Sequence, residues 1–331
     1  MSERVELRAM VTGLRLSAAL GVAADLGISD GLVGGPRTAA DLAADVGADP
    51  DTLQRLLHAL GTVGVYDERP DGSFGNTRLG EGLRSDVPDS IRPLARTLNS
   101  PALWAAWGHL GHSVRTGENA FRATNGVDAW TWRRDHPEEN AIFNQNMTVQ
   151  TTTIAGAVAE AYDFAGMSTV VDVGGGQGSL LEAVLTRHPQ LTGTVFDQQH
   201  VVATEPAAAG LAPRWAAASG SFFESVPEAD ALVLKSILHD WPDHRCVEIL
   251  DVCARSLRPG GAVLVVERLL GRPGFEVDAA FSDLNMLVMP GGRERTEQEY
   301  AALFADAGLR LTGVVDTESP MSVLEARAAA G

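Results

Sequence analysis

Cysteine is almost missing from this chain, and basic side chains are heavily outnumbered. The two cysteines, Cys246 and Cys253, lie seven apart on one face of an expected helix. Two thiols cannot make the disulfide framework of a small secreted fold, and a metal site would need further ligands nearby. They read as buried free thiols of a protein in a reducing cytoplasm. Lys and Arg number 26 against 43 Asp and Glu, for a formal net charge of −17. That balance argues against nucleic acid as a partner, because phosphate contact needs local positive charge. The opening MSERVELRAM lacks the charged-then-apolar layout of a signal peptide, and no uninterrupted apolar run reaches membrane length. What remains is an ordinary soluble composition, with 331 residues to make two domains and a substantial core.

The most informative stretch is STVVDVGGGQGSL, residues 168–180. Thr169 to Val173 are largely β-branched, which suits a buried strand. Gly174, Gly175, Gly176 and Gly178 then make a turn, and SLLEAVLTRH continues with helical periodicity. Strand, glycine turn and helix N-terminus form the nucleotide-binding corner of a doubly wound sheet, where a side chain would hold a ligand off the backbone. The dinucleotide pattern would need glycine at position 179, where this chain has Ser179. Asp172, just before the turn, would repel a pyrophosphate but suits a positively charged ligand such as S-adenosylmethionine. About 20 residues on, TGTVFD ends a second strand with Asp197, placed to accept ribose hydroxyls. Together these features favour S-adenosylmethionine as the ligand.

Ahead of this corner, residues 4–33 read as a helix with an apolar face that includes Leu7, Met10, Leu14, Ala23 and Leu26. Thr38 caps one short helix and Asp49-Pro50 opens the next, which carries Leu53, Leu56, Leu57 and Leu60. Val65-Tyr66, the Asp71-Gly72 turn and Ser73-Phe74 then suggest a hairpin, completing a winged-helix unit. Such a unit either binds DNA or serves packing and dimerisation. Arg55 and His58 make no basic cluster, which disfavours the first. Residues 86–163 contain no convincing strand. Trp104, Trp107, Trp130 and Trp132 there pack helices or line an aromatic pocket, and Phe143, Asn146 and Met147 lie along one side of a helix as a candidate pocket wall.

From residue 168 onward strands and helices alternate. Strands are expected at 169–173, 192–196, 231–235, 262–267, 310–315 and 321–326, with helices beginning near 179, 201, 243 and 296. This is the pattern of an α/β protein with a mostly parallel sheet covered on both faces. The strand ALVLK runs into Ser236, His239, Asp240 and Trp241, so His239 is expected on the same rim as the glycine turn. It is a catalytic candidate, or a core-edge histidine capped by Asp240.

The segments VVDVGGGQGSL, VFDQQHV, SGSFFESVP, LKSILHDWPD, LRPGGAVLVVE, DLNMLVMPGGRERT and ALFADAGL resemble the S-adenosylmethionine-dependent O-methyltransferases. That family joins plant caffeic acid-type enzymes to bacterial ones that tailor aromatic polyketides and other antibiotics. The winged-helix segment and FNQNMTVQTTT extend the resemblance over nearly the whole chain. It implies a class I methyltransferase Rossmann-like sheet with a helical, winged-helix N-terminal dimerisation domain. The divisions expected are 1–98 for dimerisation, 99–165 as helical linker and pocket wall, and 166–331 for catalysis.

The resemblance also implies roles. His239 is the general base, flanked by Glu267 and Glu294. Gly174 and Gly176 approach the methionine part of the cofactor, Thr151 lies near its methionine end, and Asp197 holds the ribose. Phe222 and Phe223 flank the adenine, with Lys235 and Ser236 near the cofactor. Ser221 stands where the family often has Asp to accept from the adenine amino group, which implies a weaker, neutral acceptor. Asn285, Met286 and Met289, with Asn146 and Met147, form walls around an aromatic acceptor, or are plain core. No metal is expected. A phenol with a pKa of about 10 is a poor nucleophile at neutral pH until a base removes its proton. The expected protein is a homodimeric O-methyltransferase for a small phenolic natural product, with no nucleic-acid or membrane partner. The alternatives are a relative repurposed for decarboxylation or hydroxylation, and a ligand-sensing winged-helix DNA binder.

Overall fold

A computed structural model describes residues 2–206 and 208–329. They fall into two compact units. One takes the chain up to Trp104 together with Arg133–Val149, and the other takes Ala105–Trp132 and the chain from Gln150 onward. Residues 99–165 are therefore divided between the two.

In the first unit the opening helix runs over Glu3–Asp25 and a four-residue turn of helix over Ile28–Gly31. The single helix expected over 4–33 is broken at Gly27, whose φ of 65° only glycine adopts without strain. Thr38 accepts from the Asp41 N–H to cap the helix Ala39–Val46, and Asp49 accepts from the Thr52 N–H to cap Pro50–Thr62. Three short antiparallel strands, β1 (Arg37–Thr38), β2 (Tyr66–Glu68) and β3 (Ser73–Asn76), pair in the order β1-β3-β2. Leu42, Leu53, Leu57, Leu60 and Phe74 bury their apolar faces between these elements. The Glu3–Asp25 helix is long and apolar enough on average to cross a membrane, by length and composition alone, but it holds no uninterrupted apolar run of that length. Arg4, Arg8 and Arg15 interrupt it, and Ala23 and Ala24 of its last turn belong to the core of this unit. Leu7, Met10, Val11 and Leu14 on it are exposed.

The second unit is a seven-stranded sheet. Its strands are β4 (Thr169–Val173), β5 (Thr192–Asp197), β6 (Trp215–Ser219), β7 (Ala229–Lys235), β8 (Leu257–Arg268), β9 (Leu309–Asp316) and β10 (Met321–Ala328), in the order β6-β5-β4-β7-β8-β10-β9. The first five are parallel, and β10 enters antiparallel between β8 and β9. Both faces are buried, so the strands read as near-continuous apolar runs. Val171, Val173, Leu232, Leu234, Val263 and Val265 pack with Ile249, Leu250 and Phe304 of the helices Asp243–Ser256 and Glu297–Asp306. Val170, Ala231, Val233, Leu264 and Val266 pack on the other side with Val158, Leu181 and Leu185. Cys246 and Cys253 are both buried free thiols on Asp243–Ser256.

Strand order reverses between β4 and β7, and the chain leaves their carboxyl ends in opposite directions along the sheet. This topological switch point opens a crevice there. The glycine turn follows β4 and the histidine turn follows β7, so the sheet brings both to that point. Two expectations fail in this unit. Residues near 201 form turns rather than a helix, and β6 and the helix Glu276–Val288 were not anticipated.

The turn between β9 and β10 is tied to the end of β8 by Arg272. Its guanidinium donates to the carbonyls of Thr317, Ser319 and Met321 and pairs with Asp316 at 3.1 Å. Removing it takes a charged donor from three buried carbonyl oxygens, leaving that of Thr317 without this partner and those of Ser319 and Met321 with only the Thr317 hydroxyl between them. We expect Arg272→Ala to cost about 2–4 kcal/mol in denaturant unfolding of this unit. Arg272→Lys should recover only part of that, since a single ammonium cannot span the set.

Candidate active site

β7 ends at Lys235, and the next residue, Ser236, has a φ of 54°, the one positive φ among the described non-glycine residues. Such a backbone costs free energy and persists only when the surroundings over-determine it. Here the Ser236 N–H donates to the Val266 carbonyl and its hydroxyl accepts from Lys235 Nζ at 3.2 Å. The chain then closes a single 3-10 turn over Leu238–Asp240.

That turn is held from two directions. Glu267, near the end of β8 and fully buried, accepts with Oε1 from the N–H groups of Ile237, Leu238 and His239 at 3.0, 2.9 and 3.3 Å. From the other side Arg295, also fully buried, donates to the carbonyls of Leu238 and Trp241 and to Asp243. Cys246 donates to the Leu238 carbonyl as well. Gly292 lies so close to the turn that a Cβ would sit 2.0 Å from the His239 carbonyl oxygen. Only glycine fits there.

His239 is thereby buried among carboxylates. Its Nδ1 lies 2.9 Å from Glu294 Oε1 and 3.4 Å from Glu267 Oε2, and its Nε2 lies 3.6 Å from Asp240 Oδ1. Glu294 Oε1 also accepts from the Ser282 hydroxyl at 2.6 Å, and the Glu294 N–H donates to Asp283. Burial favours the neutral imidazole, but Glu267, Glu294 and Asp240 outweigh it and push His239 up to about 10. Burial pushes Glu267 up to about 7, although His239 opposes it. Burial also works to raise Glu294, but the His239 ring and the donors on Oε1 prevail and hold it below the usual range. These three residues each offer a ligand atom within 4.8 Å of the others, a spacing that can hold a metal ion. Part of that set is committed, since Nδ1 is hydrogen-bonded to Glu294 and Glu267 Oε1 carries three N–H groups, whereas Glu267 Oε2 and Glu294 Oε2 have no hydrogen-bond partner.

The turn after β4 contacts the histidine turn directly. Gly174 has a φ of 72°, and a Cβ there would lie 2.4 Å from Ile237. Glycine at 174 is thus a packing requirement as well as a conformational one. At Gly176, φ 57°, the space is open, with nothing within 4 Å of a Cβ. Its N–H donates to Asp197 Oδ2 at 2.9 Å, and Asp197 Oδ1 accepts from the Gln198 N–H. Asp172 is buried, its Oδ2 has no partner, and burial pushes it up to about 7 against the pull of Lys235. Burial lowers Lys235 in turn, against Glu267 and Asp172. An orphaned buried carboxylate oxygen beside an open glycine edge fits a ligand that brings positive charge and hydroxyl groups.

Phe222 and Phe223 follow β6, with ring centroids 4.9 Å apart. The Arg245 guanidinium covers Phe223 at 3.7 Å and Trp241 meets that ring edge-on at 4.9 Å, whereas Phe222 borders the glycine turn. Ser221 Oγ accepts from the Phe223 N–H. Trp130 stacks near Trp241 at 6.3 Å. Thr151 is buried on the helix Pro137–Ala161. Met286 and Met289 are buried and Asn285 half-buried at the end of Glu276–Val288, where Asn119 donates to the carbonyls of Leu287 and Met289. Phe143, Asn146 and Met147 lie on the part of Pro137–Ala161 that belongs to the first unit, where the Arg133 guanidinium lies 3.4 Å from the centroid of the Phe143 ring. The residues that sequence reasoning missed are Ser282, Asp283, Gly292, Arg295 and Cys246. Gly292 and Arg295 stand in the quoted motif GGRERT. Asp283 opens the quoted segment DLNMLVMPGGRERT, whereas Ser282 lies just outside it and carried no signal.

Comparison with known proteins agrees with this geometry. Residues 107–310 match the O-methyltransferase domain, and residues 9–86 match the O-methyltransferase dimerisation domain. The chain is 39% identical over 322 residues to the phenazine O-methyltransferase PhzM of Lysobacter antibioticus, covering 96% of this chain and 94% of that one. The crystal structure of LaPhzM superposes with a TM-score of 0.95 at 38% identity, covering 99% of this chain and 100% of that chain. The O-methyltransferase NcsB1 from neocarzinostatin biosynthesis, solved with S-adenosylmethionine and 2-hydroxy-5-methyl naphthoic acid, matches with a TM-score of 0.81 at 36% identity over 95% of this chain and 96% of that one. With its catalytic fold, its dimerisation domain and a cofactor crevice of this chemistry, the chain belongs to the homodimeric, S-adenosylmethionine-dependent O-methyltransferases.

Proposed function

We propose that this enzyme methylates a hydroxyl of a small aromatic natural product, with His239 as the general base. The observation that carries the reading is the His239 ring, buried between Glu294 at 2.9 Å and Glu267 at 3.4 Å where the histidine turn meets the glycine turn. S-adenosylmethionine, when bound, supplies a methyl group on a sulfonium that leaves as the neutral thioether. Asp172, Gly174, Gly176 and Asp197 hold the cofactor, with Thr151, Ser221, Phe222, Phe223, Lys235 and Ser236 completing its surroundings. An ionised Glu294 can only accept, so Nδ1 carries its proton and Nε2 is the free basic edge. Nε2 takes the acceptor's O–H proton as the oxygen bonds to the methyl carbon, and the flanking carboxylates stabilise the imidazolium that forms. The flanking carboxylates raise the ring's proton affinity above that of free imidazole, which makes it a stronger base toward a phenol.

Asn285, Met286 and Met289 are assigned to the acceptor pocket. Phenazine and naphthoate methylation among the relatives supports a flat aromatic acceptor. The segment 1–98 is assigned to pairing, 99–165 to the pocket wall and 166–331 to catalysis. The exposed side chains Leu7, Met10, Val11 and Leu14 suit a second copy as their cover. The two reduced thiols suit the cytoplasm.

Three results check this reading. With labelled S-adenosylmethionine and a panel of phenols and naphthols, His239→Ala should lose on the order of 10²-fold or more in kcat. Transfer that survives the substitution would remove His239 as the base. Because the base must be unprotonated, kcat/KM should climb with pH from 7 toward about 10, and His239→Ala should flatten that climb. Since the reaction as proposed needs only a base and the methyl sulfonium, activity should be unchanged after dialysis against a chelator. Loss restored by a divalent ion would instead make the cluster a metal site.

A further inference from the structure

The helix Glu276–Val288 presents one hydroxyl to the carboxylate that holds the base. Ser282 donates to Glu294 Oε1 at 2.6 Å, and the same oxygen takes the His239 Nδ1 hydrogen at 2.9 Å. The other oxygen, Oε2, is buried without a partner. Both donors therefore compete for the charge on a single atom. A helical serine can turn its hydroxyl back to a carbonyl of its own helix, but here it reaches out to Glu294. We propose that Ser282 is a positioning residue that sets the proton affinity of His239 through Glu294. The inference rests on the reading of His239 as the base.

The physical argument is one of shared charge. A hydrogen bond donated to an ionised carboxylate stabilises the charge and weakens the carboxylate's pull on any other proton. With Ser282 in place, Glu294 orients the imidazole and fixes its tautomer while drawing less strongly on Nδ1–H. The base then gives up its proton at lower pH, so more of it is ready at neutrality. The other groups around the cluster act differently. Glu267 and Asp240 raise His239 by charge alone, Asp283 accepts from the Glu294 backbone, and Arg268 acts on Glu294 only through its field while paired with Asp278. Lys235, Cys246, Arg295 and Tyr300 belong to the fields of Glu267, the histidine turn and Glu294. Among the described residues, Ser282 and His239 are the side chains that hydrogen-bond to the Glu294 carboxylate.

The test compares kcat/KM against pH for wild type, Ser282→Ala, Ser282→Thr and Ser282→Val, with His239→Ala as the control. Removing a hydrogen bond to a charged group should move the rising limb to higher pH by about half to one unit. In Ser282→Ala and Ser282→Val the deficit at pH 7 should then be about 3–10-fold and should vanish at the alkaline plateau. Ser282→Thr, which keeps the hydroxyl, should keep the wild-type limb. A limb that stays in place in Ser282→Ala overturns the proposal, and so does a deficit of equal size at every pH. A wild-type limb that His239→Ala leaves untouched would instead overturn the base assignment, and this proposal with it.

Discussion

Glu267 Oε1 accepts three consecutive backbone N–H groups, those of Ile237, Leu238 and His239. A fully buried carboxylate is costly unless its charge is met by donors, and the 3-10 turn after β7 supplies them. The bond set works in both directions. The turn keeps Glu267 tolerable in the interior, and Glu267 fixes where the turn, and the imidazole on it, must lie. Because Glu267 ends a central strand of the sheet, the position of His239 is inherited from the most rigid part of the fold.

The remainder of the site is built outward from that anchor. Arg295 and Cys246 take the carbonyls of the same turn, and Gly292 lets the motif GGRERT lie against its backbone, which brings Glu294 to the Nδ1 edge of the ring. Ile237 fills the space beside Gly174, so the cofactor turn and the histidine turn share a contact. The glycine turn, the base and the carboxylates that orient it are thereby coupled through hydrogen bonds and a close packing contact. A shift in any one of Glu267, Arg295 or Gly292 would be felt at the imidazole without touching a substrate.

Much of the larger sheet was legible. β4 is β-branched apart from Asp172 and is found at Thr169–Val173, as its composition dictates. β6, Trp215–Ser219, was hidden because its central residues are three alanines, which carry no strand preference of their own and pair only because β5 offers an edge. The helix expected near 201 fails because its residues pack as turns beside the glycine loop, with Ala203 donating to the Gly176 carbonyl. The helix Glu276–Val288 gives a weak periodic signal because Val277 and Phe281 on it are exposed, so its apolar residues do not mark a single buried face. Ser282 lies on it, and its role depends on a partner 12 residues away in another element.

What the sequence determined by itself was local chemistry: a glycine turn with an acidic residue at its entrance, a histidine at a strand end, two glutamates in quotable motifs and an acidic surface unsuited to phosphate. These are properties of short stretches, where residue type and spacing suffice. The tertiary structure decided which oxygen each donor claims. The doubling of donors on Glu294 Oε1, the orphaned oxygen of Asp172 and the raised proton affinity of His239 all arise from burial beside groups distant in sequence. Electrostatics in a low-dielectric interior depends on ångström distances and on excluded water, and neither is written in the order of the residues.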